Sequence, residues 1–124
     1  MKKAVVLVSG GLDSCVTAAC AVNDGLEPAF LHLSYGQLTE KRELRAFNEI
    51  AAYYCAKESL VVNMSHLSDI GGSCLTDTNI AVPNAELKNT DIPTSYVPFR
   101  NANLLAAAVS WAEVISADRI CWCC

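Results

Sequence analysis

An unbroken apolar run, Ala4 to Val8, stops at Ser9-Gly10-Gly11, and a helix-like pattern opens directly after it at Asp13-Ser14. This junction constrains the fold more than any other stretch. Consecutive apolar positions suit a strand buried on both faces, which is how strands of a parallel sheet read. A strand, a tight turn and a helix in that order form the first half of a βαβ unit. The pattern then repeats. Asp13 to Asn23 reads as a helix, and Asn23 to Gly25 carry its stop signals. Pro28 to Leu33, Ser59 to Met64 and Arg119 to Cys123 read as further strands. Leu44, Phe47, Ala51 and Tyr54 fall on one face of a helix from Thr39 to Lys57, with Glu40, Lys41, Arg42, Glu43 and Arg45 covering its exposed start. Asn101 to Ala117 is an Ala-rich helix, apolar nearly all round. Between Ser65 and Pro98 the periodicity fades, punctuated by Gly71, Gly72, Pro83, Pro93 and Pro98. A loop of that length is usually functional, and it has room for short local helices. The expected fold class is therefore α/β, a parallel sheet with helices on both faces.

The chain has 124 residues, enough for one domain and too few for two. Apolar residues make up 52% and charged residues 18%, a globular composition. The net charge of −4 offers no general attraction to nucleic acid or to anionic membrane, so neither is an expected partner. No segment reaches the length of a membrane span, and the apolar run after Lys2-Lys3 is too short for a signal peptide, so the chain is expected to be cytoplasmic. There are seven cysteines. Cys15, Cys20, Cys55 and Cys74 are scattered through the chain and are expected as reduced, buried thiols.

A phosphate ligand on an acidic chain has to be held by local backbone geometry. A helix N-terminus exposes unpaired N–H groups and the positive end of a dipole. Gly10 and Gly11 let that backbone approach an oxyanion closely, and Ser9 and Ser14 add hydroxyls. Asp13 either caps the helix or reaches a magnesium ion that accompanies the phosphates. No lysine follows the glycines as in a Walker loop, and there is no dinucleotide G-x-G-x-x-G. The plain alternative is an ordinary strand-to-helix turn.

The stretch "SGGLDS", Ser9 to Ser14, resembles the PP-loop of the ATP pyrophosphatase superfamily, whose enzymes cleave ATP between the α and β phosphates. "HLSYGQ" (His32 to Gln37) and "YVPFRN" (Tyr96 to Asn101) narrow the choice. Together with "KKAVVLVSGGLDS", they resemble the 7-cyano-7-deazaguanine synthase family of queuosine precursor biosynthesis, from about Lys2 to Ile120. The resemblance implies an adenine nucleotide alpha hydrolase-like fold. It also implies an enzyme that uses ATP and magnesium to turn 7-carboxy-7-deazaguanine and ammonia into the nitrile through adenylated intermediates. By the same resemblance, Val8, Ser9, Gly10, Gly11, Leu12, Asp13, Ser14, Cys15, Val16, Thr17 and Ala18 line the ATP, and Leu33 and Ser34 meet the adenine through their backbone. Tyr35 and Gln37 order the substrate site. Arg100 clamps either a phosphate or the substrate carboxylate, and Asn101 either caps its helix or hydrogen-bonds the deazaguanine. Asp13 and Arg100 are the candidate catalytic residues. His32 and His66 read as structural, and Trp111 as core.

Leu38, Thr39 and Phe99 stand where the family often has other residues, and after its fourth strand the chain reads "RICWCC". The family's C-terminal half, with a four-cysteine zinc site, is not expected in this domain of residues 1 to 124, which departs from the family pattern at about Ile120. Cys121, Cys123 and Cys124 are too cramped in spacing to replace that zinc site, so no metal site is assigned to them. The fourth strand is expected as an exposed edge that invites pairing with another copy, and the chain alone is expected to be inactive. Another adenylating enzyme of the superfamily and a non-catalytic nucleotide-binding remnant are the alternatives.

Overall fold

The structure, a computed structural model, describes residues 1–9, 11–70 and 100–122. Its elements run β1 (Lys3–Leu7), α1 (Leu12–Asn23), β2 (Glu27–Ser34), α2 (Glu40–Tyr53), β3 (Glu58–Asn63), α3 (His66–Ile70), α4 (Arg100–Ile115) and β4 (Arg119–Cys121). Among the described residues the strands form one parallel sheet in the order β3-β2-β1-β4. The chain steps outward from β1 to β3 and then returns to place β4 on the other side of β1. The strand order therefore reverses between β1 and β4, and crevices for ligands open beyond the strand ends at such a point.

The consecutive apolar residues of β1 are divided between two cores. Ala4, Val6 and Val8 pack with Phe30 of β2 against Ala18 and Ala21 of α1 and Phe47 of α2. Val5, Leu7 and Leu31 face the opposite way, against Ala108 and Ala112 of α4. Successive side chains of a strand point to opposite faces, so a strand covered on both sides must be apolar throughout. The α2 stripe packs as its spacing requires, with Leu44, Ile50, Ala51 and Tyr54 around Phe47. Trp111 packs against the α4 core. At the sheet edge, β3 alternates between half-buried and exposed residues.

Several details differ from the sequence-based expectation. The helices α2 and α4 end earlier than their apolar patterns do, at Tyr53 and Ile115. In each, the residue that turns the chain out of the helix has a left-handed backbone: Cys55 at φ 51° and Ser116 at φ 56°. The fourth strand is paired only to Cys121, and Cys123 lies outside the described residues. Of the region 65–98, residues 66–70 form α3, and the remainder from 71 lies outside the described residues. Cys15, Cys20 and Cys55 are free thiols as expected, but they are exposed rather than buried. The apolar residues of α1 surround the helix, and only one side of it meets the sheet. Cys74 lies outside the described residues. Among the described residues no helix is long and apolar enough to cross a membrane.

Candidate functional site

The carboxyl ends of β1 and β2, the start of α1 and the start of α4 enclose a cleft of about 200 Å³. Val8, Ser9, Ser14, Leu33, Tyr35, Gln37, Arg100 and Asn101, all singled out from the sequence, line it together. Residues of all three motifs, far apart in the chain, thus meet at one place because β1 and β2 are neighbours and α4 returns across the sheet.

The turn after β1 is held by its own serines. The Ser9 backbone N–H donates to Ser14 Oγ at 3.0 Å, and the two hydroxyl oxygens lie 2.9 Å apart. Gly11 N–H reaches Ser9 Oγ at 3.4 Å. Gly11 occupies the N-cap position with extended backbone (φ −79°, ψ 172°), and the first helical bond runs from Cys15 N–H to its carbonyl. Among the described residues no side chain caps α1. Asp13 is therefore not the cap; it lies exposed inside the first turn, where its charge favours the helix dipole. Among the described residues, a methyl group built on Gly11 would meet only Ser9 Oγ, at 3.7 Å, an ordinary contact. The fold itself thus leaves room for a side chain at Gly11. Gly10 lies outside the described residues.

Further along α1 the expected ATP-lining residues separate. Leu12, Cys15 and Val16 are exposed, and Cys15 opens on a second groove with Glu49, Ile50, Tyr53 and Tyr54. Thr17 bonds back to the Asp13 carbonyl at 2.8 Å, and Ala18 is fully buried in the core. Of the first turn of α1 only Ser14 lines the cleft, among the described residues, whereas Ala18 faces the sheet.

The loop after β2 is braced from several directions. Ser34 Oγ donates to Glu40, and Met64 N–H donates to the Ser34 carbonyl at 2.7 Å. Gln37 accepts from Tyr35 N–H at 2.9 Å and donates to Glu43 at 2.6 Å and to the Leu33 carbonyl at 3.4 Å. The Gln37 amide is thus committed to the chain itself, and it sets the position of Tyr35. Glu40 and Glu43 turn inward to make these bonds. This corrects the expectation that they belong to an exposed charged start of α2; Lys41, Arg42 and Arg45 are the exposed ones.

Arg100 donates from Nη1 to the Tyr35 hydroxyl at 3.2 Å, with its guanidinium 5.8 Å from the ring centroid. Burial pushes the Tyr35 phenol above its ordinary value, Arg100 opposes through its charge and hydrogen bond, and Glu43 adds to the rise. The phenol therefore stays protonated and can donate. Arg100 opens α4, where a cation opposes the helix dipole. Asn101 sits inside the first turn of α4 rather than ahead of it, so it does not cap that helix.

Sequence reasoning missed other lining residues: His32, Glu43, Leu104 and Trp122. His32 is 1% exposed, and its Nδ1 lies 2.9 Å from the Val8 carbonyl. Among the described residues no three His, Cys, Asp or Glu side chains gather as a metal cluster. Cys123 and Cys124 lie outside those residues.

The sequence matches the family described as "QueC: Queuosine biosynthesis protein QueC" over residues 3–124. The chain belongs to the QueC family. Similar curated proteins include a 7-cyano-7-deazaguanine synthase of Chloroherpeton thalassium, 58% identical over 118 residues, and one of Chlorobaculum tepidum, 56% identical over the same length. Each match covers 95% of this chain and 52% of the relative, so the chain spans about half the length of the curated relatives it matches. The parallel sheet with helices on both faces is the architecture that brings Ser9, Ser14, Tyr35, Gln37 and Arg100 to one end.

Proposed function

We propose that these residues are the ATP-binding part of a 7-cyano-7-deazaguanine synthase, a ligase that acts on 7-carboxy-7-deazaguanine and ammonia in the cytoplasm. The observation that carries the reading is Gly11. Among the described residues the atom nearest to a side chain there lies at 3.7 Å, so the glycine leaves the space to something else. Around that space stand the Ser9 and Ser14 hydroxyls and the N–H groups of the first turn of α1, which have no helical partner. This is a donor set suited to a pyrophosphate group.

Asp13 is exposed beside it, and one carboxylate plus phosphate oxygens is a usual magnesium environment. Bound there, the ion would neutralise phosphate charge. Each residue then has a definite task. The serine hydroxyls and Gly11 N–H hold the leaving pyrophosphate and orient the α-phosphorus toward the rest of the cleft. Arg100, whose guanidinium fork suits two carboxylate oxygens, holds the substrate carboxylate. The Tyr35 phenol, fixed by Gln37 through its own backbone, donates a hydrogen bond beside it. The chemical need for ATP is that a carboxylate oxygen leaves poorly. Transfer of AMP to it releases pyrophosphate, and ammonia then displaces AMP to give an amide and a proton. A second AMP transfer, to the amide oxygen, releases a second pyrophosphate; that oxygen then leaves with AMP, and the nitrogen gives up both its protons to form the nitrile. The whole conversion belongs to the complete protein of this family, and nucleotide binding with the hold on the substrate carboxylate to the residues described here.

Calorimetric titration with ATP and magnesium tests this. Gly11→Val and Asp13→Ala are expected to lower affinity at least tenfold while shifting stability by no more than about 1 kcal/mol, because Gly11 holds the N-cap position without a side-chain bond and Asp13 is exposed in the first turn. Equal affinity in the parent and both variants would sink the cradle.

A further inference from the structure

We propose that His32 is the positioning residue of the turn after β1. Its imidazole fixes the peptide plane between Val8 and Ser9, and through it the donors that face the cleft. Only the ligand-binding arm of this proposal rests on the ATP reading above.

His32 sits inside β2, 1% exposed, with its ring stacked on Phe47 at 5.3 Å and 30°. A phenyl ring would fill that volume with no polar atom to desolvate. The imidazole instead brings two nitrogens into the core. Nδ1 lies 2.9 Å from the Val8 carbonyl oxygen. A carbonyl only accepts, so Nδ1 carries the hydrogen of that bond. Nε2 is buried and has no hydrogen-bond partner among the described residues. A buried polar atom without a partner costs stability, and nothing in the packing on Phe47 offsets that cost. What imidazole adds over phenyl at this position is the bond to Val8.

That carbonyl belongs to the peptide that leads into the turn. Val8 C=O and Ser9 N–H are two ends of one planar trans unit and point in opposite directions. The Ser9 N–H end donates to Ser14 Oγ of α1 at 3.0 Å. The plane is thus held from both sides, by β2 through His32 and by α1 through Ser14. A rotation of the plane breaks both bonds together. Ser14 Oγ is also 2.9 Å from Ser9 Oγ, which accepts from Gly11 N–H at 3.4 Å. An ordered path of bonds runs from the core at Phe47 to Gly11, and His32 is its root. Sites work to the precision with which such supporting groups hold them.

Two variants separate the roles of the ring. His32→Phe keeps the stacking and removes the Nδ1 donor. His32→Asn gives up the ring and restores a side-chain N–H at a similar distance from the backbone. In the ligand-free chain, nitrogen NMR of His32 is expected to show the Nδ1-protonated tautomer with a bare Nε2. Amide hydrogen exchange at Ser9 and Ser14 is expected to quicken about tenfold in His32→Phe, with the β2–β3 ladder unchanged, and to return toward the parent rate in His32→Asn. Affinity for ATP with magnesium is expected to fall about tenfold in His32→Phe and to recover in His32→Asn. An Nε2-protonated ring, or exchange and affinity in His32→Phe equal to the parent, overturns the proposal. If the parent chain binds no ATP, the proposed function fails, while tautomer and exchange still decide His32. If His32→Phe does not fold, the tautomer in the parent chain and the exchange pattern of His32→Asn decide it.

Discussion

Replacing Gly36 by alanine is expected to destabilise the chain by about 2–4 kcal/mol, and two separate costs make up that figure. Gly36 lies between Tyr35 and Gln37 with φ +79°, in the left-handed region. An L-residue held there costs about 1–2 kcal/mol. The added methyl carbon would also come within 2.7 Å of Ser68 Cβ and 3.0 Å of Ser68 Oγ. Ser68 belongs to α3, whose Leu67 is buried against Leu33 and Tyr35, so the helix cannot simply withdraw. Crowding of that kind costs about 1–3 kcal/mol, and the stiffer unfolded chain of alanine returns only about 0.4–1 kcal/mol. Urea unfolding of Gly36→Ala, Ser68→Gly and the double variant measures the parts. Ser68→Gly removes both atoms that the methyl would meet and leaves the backbone strain in place. The cycle is therefore expected to show a coupling of at least about 1 kcal/mol, with the double variant still below Ser68→Gly by about the strain alone. Additivity within error would refute the packing of this loop on α3, and with it the account of how Tyr35 is held.

Cys55→Gly is expected to raise stability by about 0.5–1 kcal/mol in thermal unfolding, because Cys55 holds φ 51° at an exposed site where glycine carries no steric penalty. Tyr35 shapes the alkaline limb of stability. Its phenol is held above its ordinary value of 10.0 first by burial, with Arg100 opposing and Glu43 adding to the rise, so the folded chain keeps a proton that the unfolded chain loses. The contribution is fully present below pH about 10 and is lost as pH rises through the higher folded value; urea midpoints of Tyr35→Phe are expected to fall less steeply over that window.

The ends of α1, α2 and α4 show why some boundaries were legible and others were not. All three close with the same bond from the second residue beyond the turn back across it: Leu26 N–H to Ala21 O, Ala56 N–H to Ala51 O, and Ala117 N–H to Ala112 O, at 3.1, 3.0 and 2.9 Å. The residue that must turn left-handed is Gly25 in the first case, Cys55 in the second and Ser116 in the third. Glycine announces that conformation, because it alone adopts it freely. Cysteine and serine do not announce it, and the apolar patterns of α2 and α4 run on past the true ends. The interior of each element was legible for the opposite reason. Phe47 and the residues spaced around it have to face one way, whatever ends the helix.

The cleft divides along a similar line. Residues that act through their own backbone or as a local turn, such as Ser9, Gly11 and Ser14, are neighbours in the chain, and their chemistry can be read in order. His32 acts on Val8 because β2 lies beside β1 with Leu31 opposite Leu7. Glu43 acts on Gln37 because the first turn of α2 folds back over the loop. Register and helix rotation create those pairings, and neither is written in a local pattern. A histidine flanked by leucines in an apolar strand reads as core, and His32 is core by burial and by its stacking on Phe47. The bond to the Val8 carbonyl makes the same ring part of the site, since the next donor in that peptide already belongs to the turn. Burial and function are not competing descriptions of such a residue. The core supplies the rigidity with which one end of β2 holds one end of β1, and the geometry of the cleft follows from that.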